Sequence, residues 1–265
     1  MPEGHTVHRN AAELGSRFAA GPVAVDSPQG RFAAGAALLD GTVLRGAEAH
    51  GKHLLLHFGP GRVLHVHLGL YGSWTTGDGQ APPVRGTVRA RLRGTGGWAE
   101  LRGPTACEVP DEGGEAALRA RLGPDPLRAD ADPEAAWRRI SRSRTVIGAL
   151  LMQQDVVSGV GAIYRAEVLF RQGIDPYLPG RELARERWEA VWDDLVVMMT
   201  EGVRDGRIET TRPADREAAR AVPGRGDRFY VFRRTGEPCR VCGTPVRHAL
   251  LVARHLNWCP TCQPA

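Results

Sequence analysis

Cys239-Arg240-Val241-Cys242, followed after sixteen residues by Cys259-Pro260-Thr261-Cys262, is the most specific stretch of this chain. Two Cys-x-x-Cys pairs at that separation match a tetrahedral four-thiolate zinc site, with each pair on a tight knuckle and room between them for a β-hairpin. Four thiolates leave no open coordination position, so one structural Zn2+ is expected, held by Cys239, Cys242, Cys259 and Cys262. The fifth cysteine, Cys107, stands alone, which is metal arithmetic in a reducing compartment and not a disulfide framework. From residue 230 to the end there are five arginines (233, 234, 240, 247 and 254) against one acid, Glu237, so this zinc module faces something anionic.

Outward from the zinc module, residues 205–228 are rich in arginine and poor in apolar side chains, and read as a mobile surface loop of the length used for binding. Before it the chain is helical. Asp132-Pro133 is a cap and first-turn pair opening a helix through Trp137 and Ile140. Val146–Gln154 reads as a second helix and Ala162–Gln172 as a third, joined by the glycine-containing turn 155–161. A fourth runs from Glu182 to about Arg204, burying Trp188, Val191, Trp192, Leu195 and Met199 on one face. Leu122-Gly123-Pro124-Asp125-Pro126-Leu127 interrupts the pattern and marks a domain boundary. Ahead of that boundary the hydrophobic period is two, with strands at Val23–Asp26, Thr42–Ala49, His53–Phe58, Val63–Leu68, Val88–Leu92 and Ala99–Leu101. Residues 3–19 form a helix with Val7, Ala11, Leu14 and Phe18 inward, stopped by Gly21-Pro22. The expectation is an α+β multidomain chain. It has an N-terminal helix on a β-sandwich (1–121), a helical domain (128–228) and a zinc-finger β-hairpin (229–265).

The histidines at 53, 57, 65 and 67 lie on these strands at spacings of two and four, which suits either a metal cluster or, more commonly, hydrogen-bonded strand histidines. With 265 residues, net charge +5 and a pI near 9.2, the chain is compatible with a polyanionic partner. No apolar run is long enough to span a membrane and no signal pattern opens the chain, so a cytoplasmic, nucleoid-associated monomer without membrane contact is expected. Of the 35 basic residues only Lys52 is lysine. Where arginine has replaced lysine everywhere else, one survivor marks a place that needs a compact ammonium, not a planar fork.

The chain opens Met1-Pro2-Glu3-Gly4-His5-Thr6. Removal of Met1 leaves Pro2 with a secondary α-amine, which titrates near pH ~8. Such an amine attacks an aldehyde-like carbon to give an iminium, and the adjacent Glu3 is a carboxyl able to act as acid or base. Proline and glutamate are also an ordinary helix start.

Taken together these parts resemble the formamidopyrimidine-DNA glycosylase and endonuclease VIII family of base-excision repair enzymes over the whole chain. The resemblance implies a bifunctional DNA glycosylase and abasic-site lyase acting on damaged double-stranded DNA. Pro2 would be the nucleophile, Glu3 its acid/base, and Lys52 the hairpin lysine that contacts phosphate beside the lesion. Gly69-Leu70-Tyr71-Gly72 is similar to the endonuclease VIII wedge that fills the space left by an everted nucleotide. Arg102-Gly103-Pro104 lacks the Arg-Phe pair of the oxidised-guanine branch, so oxidised pyrimidines are the expected lesions, with strand cleavage by β- or β,δ-elimination. Leu122–Leu127 resembles the interdomain linker and 145–172 the helix–two-turn–helix, whose Gly161 and Ala162 face DNA. Arg254 matches the zinc-hairpin arginine. Three positions depart from the pattern: Thr6 for a glutamate, Gln153 for an aspartate, and Ala162 for the asparagine that binds backbone phosphate. These departures imply weaker DNA binding, and they keep open a catalytically weakened lesion-binding protein on the same scaffold.

Overall fold

The computed structural model describes residues 2–59, 61–215 and 225–265. The chain divides into two compact units, Met1–Arg121 and Leu122–Ala265. Met1 and residues 216–224 lie outside the described residues, and with them the removal of Met1 and the middle of the expected loop.

The first unit starts with α1 (Gly4–Phe18), whose Val7, Ala11, Leu14 and Phe18 are buried as the helical period requires. Then follow β1 (Pro22–Asp26), α2 (Ala33–Leu39), β2 (Thr42–His50), β3 (His53–Phe58), β4 (Arg62–His67) and β5 (Ser73–Gly77). The unit ends with β6 (Ala90–Gly94), β7 (Gly97–Arg102), β8 (Ala106–Glu108) and α3 (Gly114–Ala120). The strands hydrogen-bond antiparallel in the order β5-β7-β6-β1-β2-β3-β4-β8. Only two residue pairs, Pro22↔Val43 and Val23↔Thr42, join β1 to β2. The sheet folds over at that weak seam. Its halves share one buried cluster, in which Val23, Leu92 and Leu101 meet Leu54, Leu56 and Leu64 together with the inward face of α1.

Strand β3 is buried on both faces. Leu54, Leu56 and Phe58 enter the main core, while Leu55 faces the other way and packs with Val63 and Leu118 of α3. Alternation therefore puts His53 and His57 on the α3 face together with His65 and His67 of β4.

The second unit contains α4 (Pro133–Ile140), α5 (Ile147–Leu150), α6 (Ala162–Arg171), α7 (Arg185–Asp205), and the hairpin β9 (Arg247–Leu251) with β10 (Arg254–Trp258). Asp132 caps α4 by accepting the Glu134 N–H at 3.0 Å. The helix expected over Val146–Gln154 stops at Leu150. Beyond it the Gln154 side chain donates to the carbonyls of Met152 and Val160 and accepts the Gly159 N–H, and so organises a turn where helix would otherwise continue. Helix α7 begins three residues later than expected, after a single 3-10 turn at Gly180–Glu182, and buries Trp188, Val191, Trp192, Leu195 and Met199.

The described flanks of 205–228 are anchored. Gly206 (φ +67°) closes α7, and short 3-10 turns stand at Pro213–Asp215 and Arg225–Arg228. Thr210 donates its N–H to the Arg228 carbonyl at 2.9 Å, and the Thr211 hydroxyl donates to the Asp227 carbonyl at 2.7 Å. Both flanks converge on one buried carboxylate. Glu167 of α6 accepts the N–H groups of Tyr230, Val231 and Phe232 at 2.8–2.9 Å and the Thr210 hydroxyl. Burial nevertheless pushes its pKa up, because these donors only partly replace the lost water.

Candidate active site

Pro2 is half-buried, and Glu3 is fully buried where the chain enters α1. Glu3 is the N-cap in extended geometry (φ −113°, ψ 179°), and its carbonyl accepts the Thr6 N–H at 2.9 Å while its carboxyl makes no cap to the helix. That leaves a buried carboxyl beside Pro2 with its helix-capping role unused. Next to it, burial and the nearby Arg9 charge lower His5 to about 4, so the ring is neutral at pH 7. His5 Nε2 lies 3.1 Å from the Thr6 hydroxyl, so the side chain standing in for the family glutamate is engaged locally.

Packing fixes where α1 points. Its last residue, Phe18, abuts Gly94 near Pro22, and Pro22 pairs with Val43 at the start of β2. Gly15 lies against Ala47 further along β2. The helix therefore runs against the direction of β2, with its N-terminal end toward the β2–β3 turn. That turn is Gly51-Lys52, closed by the His50↔His53 pair. Gly51 takes φ +60°, the left-handed conformation a two-residue hairpin demands. Hairpin tips are ordinarily solvated, yet here Gly51 is buried and Lys52 half-buried. Pro2, Glu3 and Lys52 thus belong to one end of the first unit.

The strand histidines form two separate networks. His57 meets Glu48 at 2.9 Å, and Arg119 of α3 bonds Glu48 at 2.5 Å and Glu115 at 2.7 Å. Glu48, His57 and Glu115 have the spacing of a metal set, but the Arg119 guanidinium already bridges both carboxylates. An open groove runs past His57 and Glu115 between Thr42 and Arg62, and it holds none of the candidate catalytic residues. In the second network the Glu108 carboxylate accepts from His65 Nδ1 at 3.0 Å, and His65 Nε2 lies 2.9 Å from His53 Nδ1. Burial, with His67 and His65 nearby, lowers His53 to about 3, and burial with His65 and Lys52 nearby also lowers His67. Hydrogen-bonded strand histidines are what the described residues show.

Beyond β4, Gly69 (φ +66°) and Gly72 shape a tight turn in which the Gly72 N–H reaches the Leu68 carbonyl at 2.9 Å. A Cβ at Gly72 would fall 2.2 Å from that carbonyl oxygen, so only glycine fits. The turn holds Leu70 47% and Tyr71 87% exposed, an apolar and an aromatic side chain presented outward with little packing of their own.

In the second unit the α6 N-cap is Gly161, and Ala162 is the first residue inside the helix. Alanine at 162 therefore costs the helix no N-cap, because a first-turn side chain is not the group that caps. What alanine removes there is a polar arm at the helix start. The Gln153 carbonyl accepts the N–H groups of Val156 and Val157 in the turn before it. Arg254 is exposed at the start of β10. The Sγ atoms of Cys239, Cys242, Cys259 and Cys262 lie within 4.8 Å of one another, with Cys239–Cys262 at 3.8 Å and Cys242–Cys259 at 3.4 Å. Sulfurs each ~2.3 Å from a tetrahedral ion are about 3.8 Å apart, so the donor set fits Zn2+.

Sequence reasoning placed His67 among the strand histidines but not at the Gly69 turn, and it missed Glu167, which looked like any helical acid.

Three family models match successive parts of this chain. Residues 1–102 match the formamidopyrimidine-DNA glycosylase N-terminal domain, residues 122–213 the formamidopyrimidine-DNA glycosylase H2TH domain, and residues 236–265 the zinc finger found in FPG and IleRS. Endonuclease 8 1 of Mycobacterium tuberculosis is 53% identical across 99% of this chain and 100% of its own length. Formamidopyrimidine-DNA glycosylase of Parasynechococcus marenigrum is 32% identical over 99% of both chains, and that of Symbiobacterium thermophilum 34% over 86% of this chain and 76% of its own. In fold, the chain is similar to MutM in complex with DNA containing carbocyclic 8-oxo-G (TM-score 0.81, 21% identity, all of both chains). It is likewise similar to a Lactococcus lactis FPG mutant bound to Fapy-dG DNA (TM-score 0.80, 22% identity, all of both chains).

Proposed function

The chain belongs to the formamidopyrimidine-DNA glycosylase and endonuclease VIII family, near the endonuclease VIII branch, and we propose that it works through Pro2 as an imine-forming nucleophile on oxidised pyrimidines. It is a DNA glycosylase and abasic-site lyase of base-excision repair, and its partner is damaged DNA. The observation that carries the proposed mechanism is the fully buried Glu3 at the entry to α1, next to Pro2 and at the same end of the unit as the Lys52 turn.

In this mechanism the Pro2 nitrogen attacks C1′ as the glycosidic bond breaks, and the base leaves with a proton. Glu3 protonates the ring oxygen, the sugar opens, and the nitrogen lone pair forms the iminium. Loss of a C2′ proton then expels the 3′ phosphate, and strand cleavage ends there (β-elimination) or goes on to expel the 5′ phosphate (β,δ-elimination). Water releases Pro2 at the end. Lys52, a compact cation on a rigid hairpin, holds the phosphate beside the lesion. The exposed Leu70-Tyr71 turn fills the space left by the everted nucleotide, where an aromatic face stacks on the neighbouring base. Gly161, Ala162 and Arg254 engage the DNA backbone, and the zinc hairpin acts as its own module within the second unit. Four thiolates without an open position give the zinc ion a structural role.

The test is borohydride reduction with DNA containing an abasic site or thymine glycol, on protein whose N-terminal residue is shown by mass to be Pro2. Reduction of the iminium leaves a stable amine link, so an adduct that disappears when the N-terminus is blocked establishes the mechanism. Tight binding to the same DNA without any adduct would instead favour a lesion-binding protein, the reading that Ala162 supports.

A further inference from the structure

Three imidazoles pack together at the base of the hairpin that carries Lys52. His53 directly follows Lys52 and pairs across the strands with His50 on one side and His67 on the other. Its ring stacks on that of His65 (centroids 5.1 Å, 23° between planes) and lies 4.8 Å from the tilted His67 ring. His53 Nδ1 is 2.9 Å from His65 Nε2, and His65 Nδ1 is 3.0 Å from a Glu108 carboxylate oxygen. A continuous line, Glu108–His65–His53, thus runs from an exposed side chain on β8, through buried His65, to the residue beside Lys52.

The line fixes how its rings stand. An ionised Glu108 only accepts, so His65 Nδ1 donates to it. In the neutral His65 ring Nε2 is then the acceptor and takes the His53 Nδ1 proton, which sets the tautomer and orientation of both rings. Packing alone does not account for this. Apolar side chains at 53 and 65 would fill the same space without the cost of taking imidazoles out of water. The backbone gives a further reason for a clamp. Lys52 sits on a two-residue turn, and an ammonium that stabilises charge at a reacting centre must be held in place before the reaction.

We propose that Glu108 and His65 are positioning residues for Lys52, which act through the His53 ring to hold the end of the β2–β3 hairpin. In this role they move no proton and touch no substrate. They keep the ammonium in one place beside the lesion phosphate. The inference rests on the Lys52 role given under the proposed function.

The test is a cycle of His65→Phe, Lys52→Gln and the double substitution. Base release from a thymine glycol duplex and borohydride trapping on abasic-site DNA are measured separately. Phenylalanine keeps a ring at 65 and removes both hydrogen bonds. His65→Phe should lower kcat for base release about tenfold, the value of one hydrogen bond to a charged group, with KM and trapping unchanged. In the Lys52→Gln background it should cost nothing more, because the group it positions is gone. Glu108 is exposed, so its substitution leaves the core intact and serves if His65→Phe does not fold. Glu108→Ala should lower kcat about threefold, as suits an exposed partner, and Glu108→Gln, whose amide oxygen still accepts, should restore most of it. An equal loss from His65→Phe with and without Lys52, or one shared by trapping, would overturn the inference and leave the histidines purely structural. Base release untouched by Lys52→Gln would instead overturn the Lys52 reading itself, and this inference with it.

Discussion

Gly69 donates its backbone N–H to Nδ1 of His67 at 3.1 Å. A backbone N–H can only donate, so Nδ1 is an acceptor and the neutral ring carries its proton on Nε2. The Thr105 hydroxyl donates to the same nitrogen at 2.8 Å, and the Thr105 N–H donates to the His67 carbonyl at 2.9 Å, which ties β4 to the residues before β8. His67 thereby links the Lys52 ammonium, which helps lower its pKa, to the turn that presents Leu70 and Tyr71. Protonation of Nδ1 would break the bond to Gly69 and release that turn.

Acid should therefore unsettle the first unit before it reaches the carboxylates. His5, His53 and His67 are held neutral by burial, while their unfolded counterparts titrate near pH 6.5. Their folded pKa values are depressed, so the stability they contribute is complete above about pH 6.5. It is lost as pH falls toward about 4 for His5 and about 3 for His53. Urea unfolding midpoints should fall steadily from pH 7 to pH 4, with a shallower fall for His53→Gln. Midpoints that do not move over that range would show that these rings are not buried in neutral form.

Lys52→Gln should slow base release from a thymine glycol duplex by about ten- to a hundredfold, the value of one hydrogen bond to a charged group. Lys52→Arg should recover part of that, since charge returns without the compact shape. Borohydride trapping on a ready-made abasic site should survive in both, because Lys52 is not the nucleophile. Loss of trapping in Lys52→Gln, in protein that still binds DNA, would move the imine from Pro2 to Lys52.

At the start of α6 a polar side chain should strengthen the grip on DNA. Ala162→Asn is expected to tighten binding to abasic-site DNA about three- to tenfold, the range of one neutral hydrogen bond. The fold should tolerate it, since capping belongs to Gly161. Unchanged affinity would mean that Ala162 does not weaken binding.

Removal of the metal should unfold the hairpin without abolishing the chemistry. Purified protein should contain one zinc per chain, and chelation should weaken duplex binding by at least about tenfold, because thiolate–metal bonds replace much of the core in so small a module. Added zinc should restore binding. The Pro2 amine lies in the other unit, so slow trapping on abasic DNA at high concentration should persist after chelation.

The legible parts of this chain were those whose signal is local and repeated. Helix α1 announces itself through Val7, Ala11, Leu14 and Phe18, and the central strands through their alternation. Helices α2 and α3 have seven residues each and β8 only three, too short for a period to emerge, and their existence depends on the sheet they cover. The helix over 146–154 was overdrawn because its apolar spacing is correct and only the Gln154 side chain, folding back on its own turn, ends it at Leu150.

By itself the sequence determined the zinc ligands, the Pro2-Glu3 start, the singular Lys52 and the family, since each is a matter of residue identity at a fixed spacing along the chain. Tertiary structure alone decided that Lys52 is half-buried, that α1 points its start toward that hairpin, that His67 holds the Leu70-Tyr71 turn, and that Glu167 gathers Thr210 and residues 230–232. Apart from the local His67 turn, those relations depend on residues far apart in the chain, and they arise only when burial strips water from polar groups and obliges them to find partners across the fold.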